Sequence, residues 1–236
     1  MKTILYPSQE RGQVDHGWLK ANHTFSFASW YDPQKIHFGA LRVLNDDWVA
    51  PGMGFGMHPH DNMEIITIPL SGTLAHKDSM GNSGTISYGE IQVMSAGSGI
   101  THSEFNHSKN EPVSLFQIWL FPNQKNVTPR YDQIAYNKEK MNNEWLQIVS
   151  PSPDDEGSWI HQNAWFSLGK WDAGQKTSYQ IKDAHNGLFL MVIEGEIQIN
   201  ESSLAQRDAI GITDSTQADI EVVKPSFLLA IDIPMH

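Results

Sequence analysis

From Phe38 onward, polar and apolar residues follow one another in short runs, and helical spacing is weak throughout. Phe38–Leu44, Met63–Leu70, Thr73–His76, Thr85–Tyr88, Ile91–Ser95, Ile100–Phe105 and Val113–Phe121 are rich in Ile, Val, Phe and Thr, which predicts strands. Asn45-Asp46-Asp47, Ser71-Gly72 and Asp78-Ser79-Met80-Gly81-Asn82 read as turn material between them. A second set follows at Trp145–Val149, Ser158–Leu168, Thr177–Ile181, Leu188–Ile193, Glu196–Asn200, Ala209–Thr213, Ala218–Val223 and Ser226–Ile233. The Pro151–Gly157 stretch is an exposed loop by composition. Asp132–Met141 is the one plausible helix, although its polar composition also fits a linker. Ahead of all this, Thr24–Phe27 alternates polar and aromatic, which predicts a short strand ended by Asp32-Pro33. Many short strands at close spacing argue for antiparallel sandwiches or barrels.

The two sets resemble copies of each other. Leu70-Ser71-Gly72-Thr73-Leu74-Ala75-His76 parallels Ile193-Glu194-Gly195-Glu196-Ile197-Gln198-Ile199. Gly89-Glu90-Ile91-Gln92-Val93 parallels Arg207-Asp208-Ala209-Ile210-Gly211 less closely. The period is too long for a solenoid, so a duplicated domain is expected.

Candidate chemistry is confined to the first copy. Gly52-Met53-Gly54-Phe55-Gly56-Met57-His58-Pro59-His60 ends in His-x-His, and Ser95–Glu104 ends in His102-Ser103-Glu104. Side chains along a strand alternate faces, so His58 and His60 share one face, and His102 and Glu104 share another. Glycines before each pair let the chain turn into a crowded site. A lone His-x-His is more often a surface strand, but two such pairs on separate strands can converge. Three imidazoles and one carboxylate suit a first-row transition metal. Counting through the duplication puts Ile181, Asp183, Ile220 and Val222 at the equivalent positions, so the second barrel is expected to have an apolar interior without a metal. His161 and His185 belong to no alternating pair. His16 and His23 are read as bonding loops rather than lining a pocket.

Composition narrows the function classes. The chain has 236 residues, enough for one large or two ordinary domains. A net charge of −11 disfavours nucleic acid and anionic membranes. The absence of cysteine excludes disulfides, zinc–thiolate sites and thiol catalysis. No apolar signal core or membrane-length run is present, so a soluble cytoplasmic protein is expected.

Gly52, His58, His60 and Glu64 fit the pattern Gly-x5-His-x-His-x3-Glu, which resembles the first cupin motif. Gly89, Ser95, Gly97, His102 and Asn106 nearly fit the second, with Ser95 in place of its proline and two extra residues before the histidine. Those departures resemble the pirin family, a bicupin group. His16-Gly17-Trp18-Leu19, Leu41–Asp47, Gly54–Ile65, Met94–Glu104 and Gln117-Ile118-Trp119 carry the likeness along nearly the whole chain. It looks closest to bacterial pirin-like proteins with quercetin 2,3-dioxygenase activity. The resemblance implies an all-β fold of two cupin (double-stranded β-helix) barrels packed face to face. It implies a metal-binding domain at 1–135 and a domain lacking ligands at 136–236, although an N-terminal strand can pair with the second barrel. It implies one divalent ion, with iron(II) the usual expectation and Mn, Ni, Cu, Co or Zn alternatives, held by His58, His60, His102 and Glu104. Glu64 is then expected to support an imidazole rather than touch the metal.

The activity so implied is ring cleavage of a flavonol by dioxygen with release of carbon monoxide. Glu104 is the candidate base for the flavonol 3-hydroxyl. Apolar walls are expected for a flat substrate, with Phe25, Phe27, Phe55, Met57, Met94 and Phe116 as candidates. A competing reading is a metal-dependent, redox-sensing regulatory protein, but the acidic chain has no basic cluster for DNA-bound partners. Sugar-phosphate isomerisation fits less well, since only Arg42, Lys77 and Lys109 lie near the motifs. A duplicated fold buries its own sheet faces, so a monomer is expected.

Overall fold

The structure, a computed structural model, describes Met1–Met235. His236 lies outside the described residues. The first strands are β1 (Lys2–Tyr6), β2 (Gly12–Asp15), β3 (Leu19–His23), β4 (Leu41–Val49), β5 (Gly54–His60), β6 (Glu64–Ser71) and β7 (Thr73–Asp78). Next come β8 (Ser83–Ser87), β9 (Glu90–Ser95), β10 (Ile100–Asn106), β11 (Val113–Leu120) and β12 (Arg130–Ala135). The second half holds β13 (Leu146–Ser150), β14 (Ser158–Trp159), β15 (Trp165–Trp171), β16 (Lys176–Gln180), β17 (Asn186–Ile199), β18 (Ser202–Ala205), β19 (Ala209–Thr213) and β20 (Gln217–Pro234).

A seven-stranded sheet, β12-β9-β6-β11-β4-β3-β2, and a four-stranded sheet, β5-β10-β7-β8, form the first barrel. The second is built from one nine-stranded sheet along β1-β19-β17-β20-β15-β13-β14, with β16 on β20 and β18 on β17. The fold is therefore all-β, with two cupin barrels. They meet across one continuous apolar cluster, which joins Phe25, Leu44, Ile66 and Phe116 of the first to Phe166, Phe189 and Ile231 of the second. Strand alternation explains how the seven-stranded sheet serves two masters. Ile66, Ile68, Phe116 and Ile118 face the second barrel, while Thr67, Gln117 and Trp119 face the first barrel's interior. Both faces of β6 and β11 are covered, so both read as nearly unbroken apolar runs.

Several expectations change. Asn45-Asp46-Asp47 is not a turn but the middle of β4, which starts at Leu41 rather than Phe38. Its polar side chains find a histidine, an arginine and a cavity, so the strand tolerates them. Thr24–Phe27 is not a strand, because its backbone is taken up by Leu44, Lys35 and Trp30 in a loop. The helix expected over Asp132–Met141 is instead β12, whose register on β9 covers an edge, followed by a 3₁₀ turn at Lys138–Met141. Ser158–Leu168 divides into β14 and the start of β15. Leu188–Asn200 and Ala218–Ile233 are each one long bulged strand rather than two.

The repeat is visible in the backbone. Gly72 and Gly195 both take positive φ, at 73° and 95°. A Cβ at Gly72 would stand 2.6 Å from the Pro112 carbonyl oxygen, and one at Gly195 would collide with that of Pro225. Gly89 and Arg207 also share positive φ, at 101° and 70°. The second barrel's interior is apolar, as expected, with Ile220 and Val222 inside it among Leu188, Leu190 and Leu228. β1 lies antiparallel to β19, so the N-terminal strand completes the second sheet.

Candidate metal centre and its cavity

β10 is central in the four-stranded sheet, with β5 on one side and β7 on the other. Register places His102 opposite His58, and Ile100 opposite His60. A bulge follows between His102 and Glu104, which puts Glu104 opposite Phe55 and, across β7, opposite His76. The His58, His60 and His102 rings lie 4.4–4.9 Å apart. A ligand atom from each falls within 4.8 Å of the others.

The donor chemistry of these rings fits a cation. His58 Nδ1–H donates to the Gly56 carbonyl at 2.8 Å, which leaves its Nε2 free to coordinate. His60 Nε2 and both nitrogens of His102 are buried without a hydrogen-bond partner. Burial, then His58, pulls His60 down to about 4, and burial with the neighbouring imidazoles pulls His102 down to about 3. Both rings are therefore neutral at pH 7 and present lone pairs.

Glu104 is 4 % exposed. Gln117 Nε2 donates to its Oε2 at 2.9 Å and to its Oε1 at 3.2 Å, and Thr67 Oγ1 donates to the Gln117 Oε1 at 3.2 Å. Burial pushes Glu104 up to about 7 against those hydrogen bonds. Its oxygen, with His102 and His76, forms a second close set. His76 is already engaged at both nitrogens, with Asp78 Oδ2 and Gln92 Nε2 each at 3.2 Å, and it stacks on Tyr131. The three imidazoles of His58, His60 and His102 could hold an ion, and Glu104 shares only His102 with that set. His76 was missed from sequence because its alternating partner Asp78, which ends β7, read as the start of a turn.

The other site expectations divide. Glu64 has left the metal face. The chain turns at Asn62 with φ of 46°, so Glu64 points with Ile66 and Ile68 toward the second barrel. There the Ser95 hydroxyl donates to Glu64 Oε2 at 2.7 Å. Burial pushes this carboxyl up to about 7, opposed by Ser95, the His161 backbone N–H and Arg130. It supports no imidazole. His23 lies on a strand rather than bonding a loop, with its Nδ1–H donating to Asn45 Oδ1 at 2.8 Å. His16 is exposed in the turn between β2 and β3.

A cavity of about 470 Å³ opens onto this cluster. Trp18, Phe27, Phe55 and Trp119 wall it, and Asn45, Asp47, Gln117, Glu104, His58 and His60 supply its polar groups. Of the expected wall residues, Phe27 and Phe55 line it. Phe25 and Phe116 belong to the apolar cluster between the barrels, Met94 to a small core with Ile65 and Ile100, and Met57 is exposed. Trp18 and Trp119 carry the wall instead. None of Arg42, Lys77 and Lys109 lines the cavity.

The Pirin family profile matches residues 6–120, and that of the quercetinase C-terminal cupin domain matches 132–233. The chain is 40 % identical over 232 residues to a quercetin 2,3-dioxygenase of Escherichia coli K12, with 98 % of each chain covered. It is 38 % identical over 227 residues to a pirin-like protein of Caulobacter vibrioides, covering 96 % of this chain and 97 % of that one. Among solved structures, the bacterial pirin YhhW of Escherichia coli in complex with nickel(II) superposes with a TM-score of 0.93 at 38 % identity, covering 99 % of both chains.

Proposed function

This chain belongs to the pirin family, and on that footing we propose that it is a metal-dependent dioxygenase that opens the ring of flavonols such as quercetin. One observation carries the reading. Unpartnered, neutral imidazoles converge with a buried carboxyl at the end of an aromatic-walled cavity.

His58, His60, His102 and Glu104 would hold a divalent first-row ion, and iron(II) is our assignment. When bound, such an ion acidifies a phenolic hydroxyl and couples oxidation of the substrate to dioxygen. The protein's own residues do the rest. Phe27, Phe55, Trp18 and Trp119 clasp a flat ring system and keep water from it. Glu104 takes the proton of the 3-hydroxyl. Burial raises its basicity and a bound cation would lower it, while Gln117 holds the carboxylate in place for the transfer. Both atoms of dioxygen enter the product, and one ring carbon leaves as carbon monoxide.

The test is aerobic turnover on protein of known metal content, following quercetin loss and carbon monoxide release together. The expected result is that both track bound metal over many turnovers. Metal without quercetin loss would remove the reaction and leave the site.

A further inference from the structure

The cavity holds a carboxyl that the reaction above does not use. Asp47 projects from the middle of β4, in the seven-stranded sheet, whereas the imidazoles come from the facing four-stranded sheet. It is 6 % exposed, and its Oδ1 has no hydrogen-bond partner among the described residues. Its neighbour Asp46 points the other way and pairs with Arg207 Nε at 2.8 Å. No Lys or Arg lines the cavity to do the same for Asp47. A buried carboxyl left without a partner is costly, so a group that arrives in the cavity is the natural partner.

Two further residues with polar groups line the same cavity. Asn45 lies two residues away on the same face of β4. Its Oδ1 is taken by His23, which leaves the amide NH2 of this cavity-lining residue without a protein acceptor among the described residues. Trp119 Nε1–H is buried and unpartnered. A carboxyl, an amide NH2 and an indole N–H inside aromatic walls describe a receptor for a flat ring that carries hydroxyls.

We propose that Asp47 is the substrate-anchoring residue of this cavity. It hydrogen-bonds a ring hydroxyl other than the one presented to the imidazoles, and so selects polyhydroxylated aromatics. The inference rests on the aromatic substrate class proposed above. A site built to bond a hydroxyl rejects analogues that lack it, because its own buried group is then left unpaired.

The experiment is anaerobic titration of the nickel(II)-loaded full chain with quercetin and with 3-hydroxyflavone, which keeps the 3-hydroxyl and lacks the others. Quenching of tryptophan fluorescence gives Kd for each. In Asp47→Leu and Asp47→Ala, the quercetin Kd is expected to rise at least tenfold relative to the 3-hydroxyflavone Kd, while Asp47→Asn keeps the wild-type ratio within about threefold. The melting temperatures of these variants should equal or exceed the wild type's, since an orphaned buried carboxyl has been removed, and their metal content should not change. An unchanged ratio in Leu and Ala, or an equal loss for both probes, overturns the proposal. Wild-type protein that binds neither probe overturns it together with the flavonol reading. If the ratio shifts as expected but air brings no turnover, Asp47 keeps its role and only the dioxygenase reading falls.

Discussion

At the scale of single residues, alternation alone paired His58 with His60 and His102 with Glu104; the structure gathers the three histidines into one close set and puts Glu104 with His102 and His76 in another. Glu64 shows where such counting ends. Parity survives only while the strand does, and the positive φ at Asn62 resets it. Asn45 and Asp47 were hidden for a different reason, since polar residues wanted by a cavity spell the same letters as a turn. Close packing at Glu104 gives a prediction. A Cβ at Gly54 would collide with the Glu104 carbonyl oxygen, whereas one at Gly56 meets nothing within 4 Å. Gly54→Ala should cut metal bound per chain severalfold and Gly56→Ala should leave it unchanged, as read by elemental analysis of purified protein.

A second residue-scale prediction concerns pH. Asp232 in β20 is fully buried and accepts from the Lys182 backbone N–H and from Asn186 Nδ2, each at 2.7 Å. Burial nevertheless pushes it from 3.8 up to about 6. A carboxyl raised on folding binds its proton more tightly in the native state, so its contribution falls as pH climbs from about 4 to about 6. Asp232→Asn should gain on the wild type over that window by on the order of 2–3 kcal/mol, and the gap should be flat above it. Urea unfolding at several pH values measures the difference. A gap independent of pH would contradict the assignment.

At the scale of elements, strands buried on one or both faces were legible because periodicity and β-branched content mark them. β12 was not, because an edge strand of mixed polarity looks like a linker until its partner β9 is known. β1 is an edge strand too, exposed over most of its length except at Tyr6. That ring packs on Phe25 of the first barrel and Phe189 of the second, with centroids 5.6 and 5.2 Å away. Tyr6→Ala should therefore cost about 3–5 kcal/mol, the usual range for deleting a buried aromatic. Calorimetry should show the loss in a single transition shared by both barrels. Two separated transitions, or no change, would mean that Tyr6 does not tie the two barrels together.

For the whole molecule, the sequence repeat correctly foretold two barrels of which the second is filled with aliphatic side chains. The shared cluster between them was not foreseeable residue by residue, because a position facing the other barrel has the same composition as one facing its own core. The division of labour that results is simple: one barrel keeps an open, aromatic-walled cavity, and the other supplies an apolar back plate. Among the described residues, both close sets of metal-binding side chains lie in the first barrel. His58→Ala and His102→Ala should each remove bound metal and flavonol turnover together while the melt stays cooperative, and activity that outlives the metal would count against the mechanism. The central claim is that His58, His60, His102 and Glu104 together hold one divalent ion. Anomalous diffraction at the metal edge, on crystals of the loaded wild-type chain, tests it most directly. The account predicts one strong peak among those four side chains and none in the second barrel. A peak at His76 instead, or none in the first barrel, would contradict it.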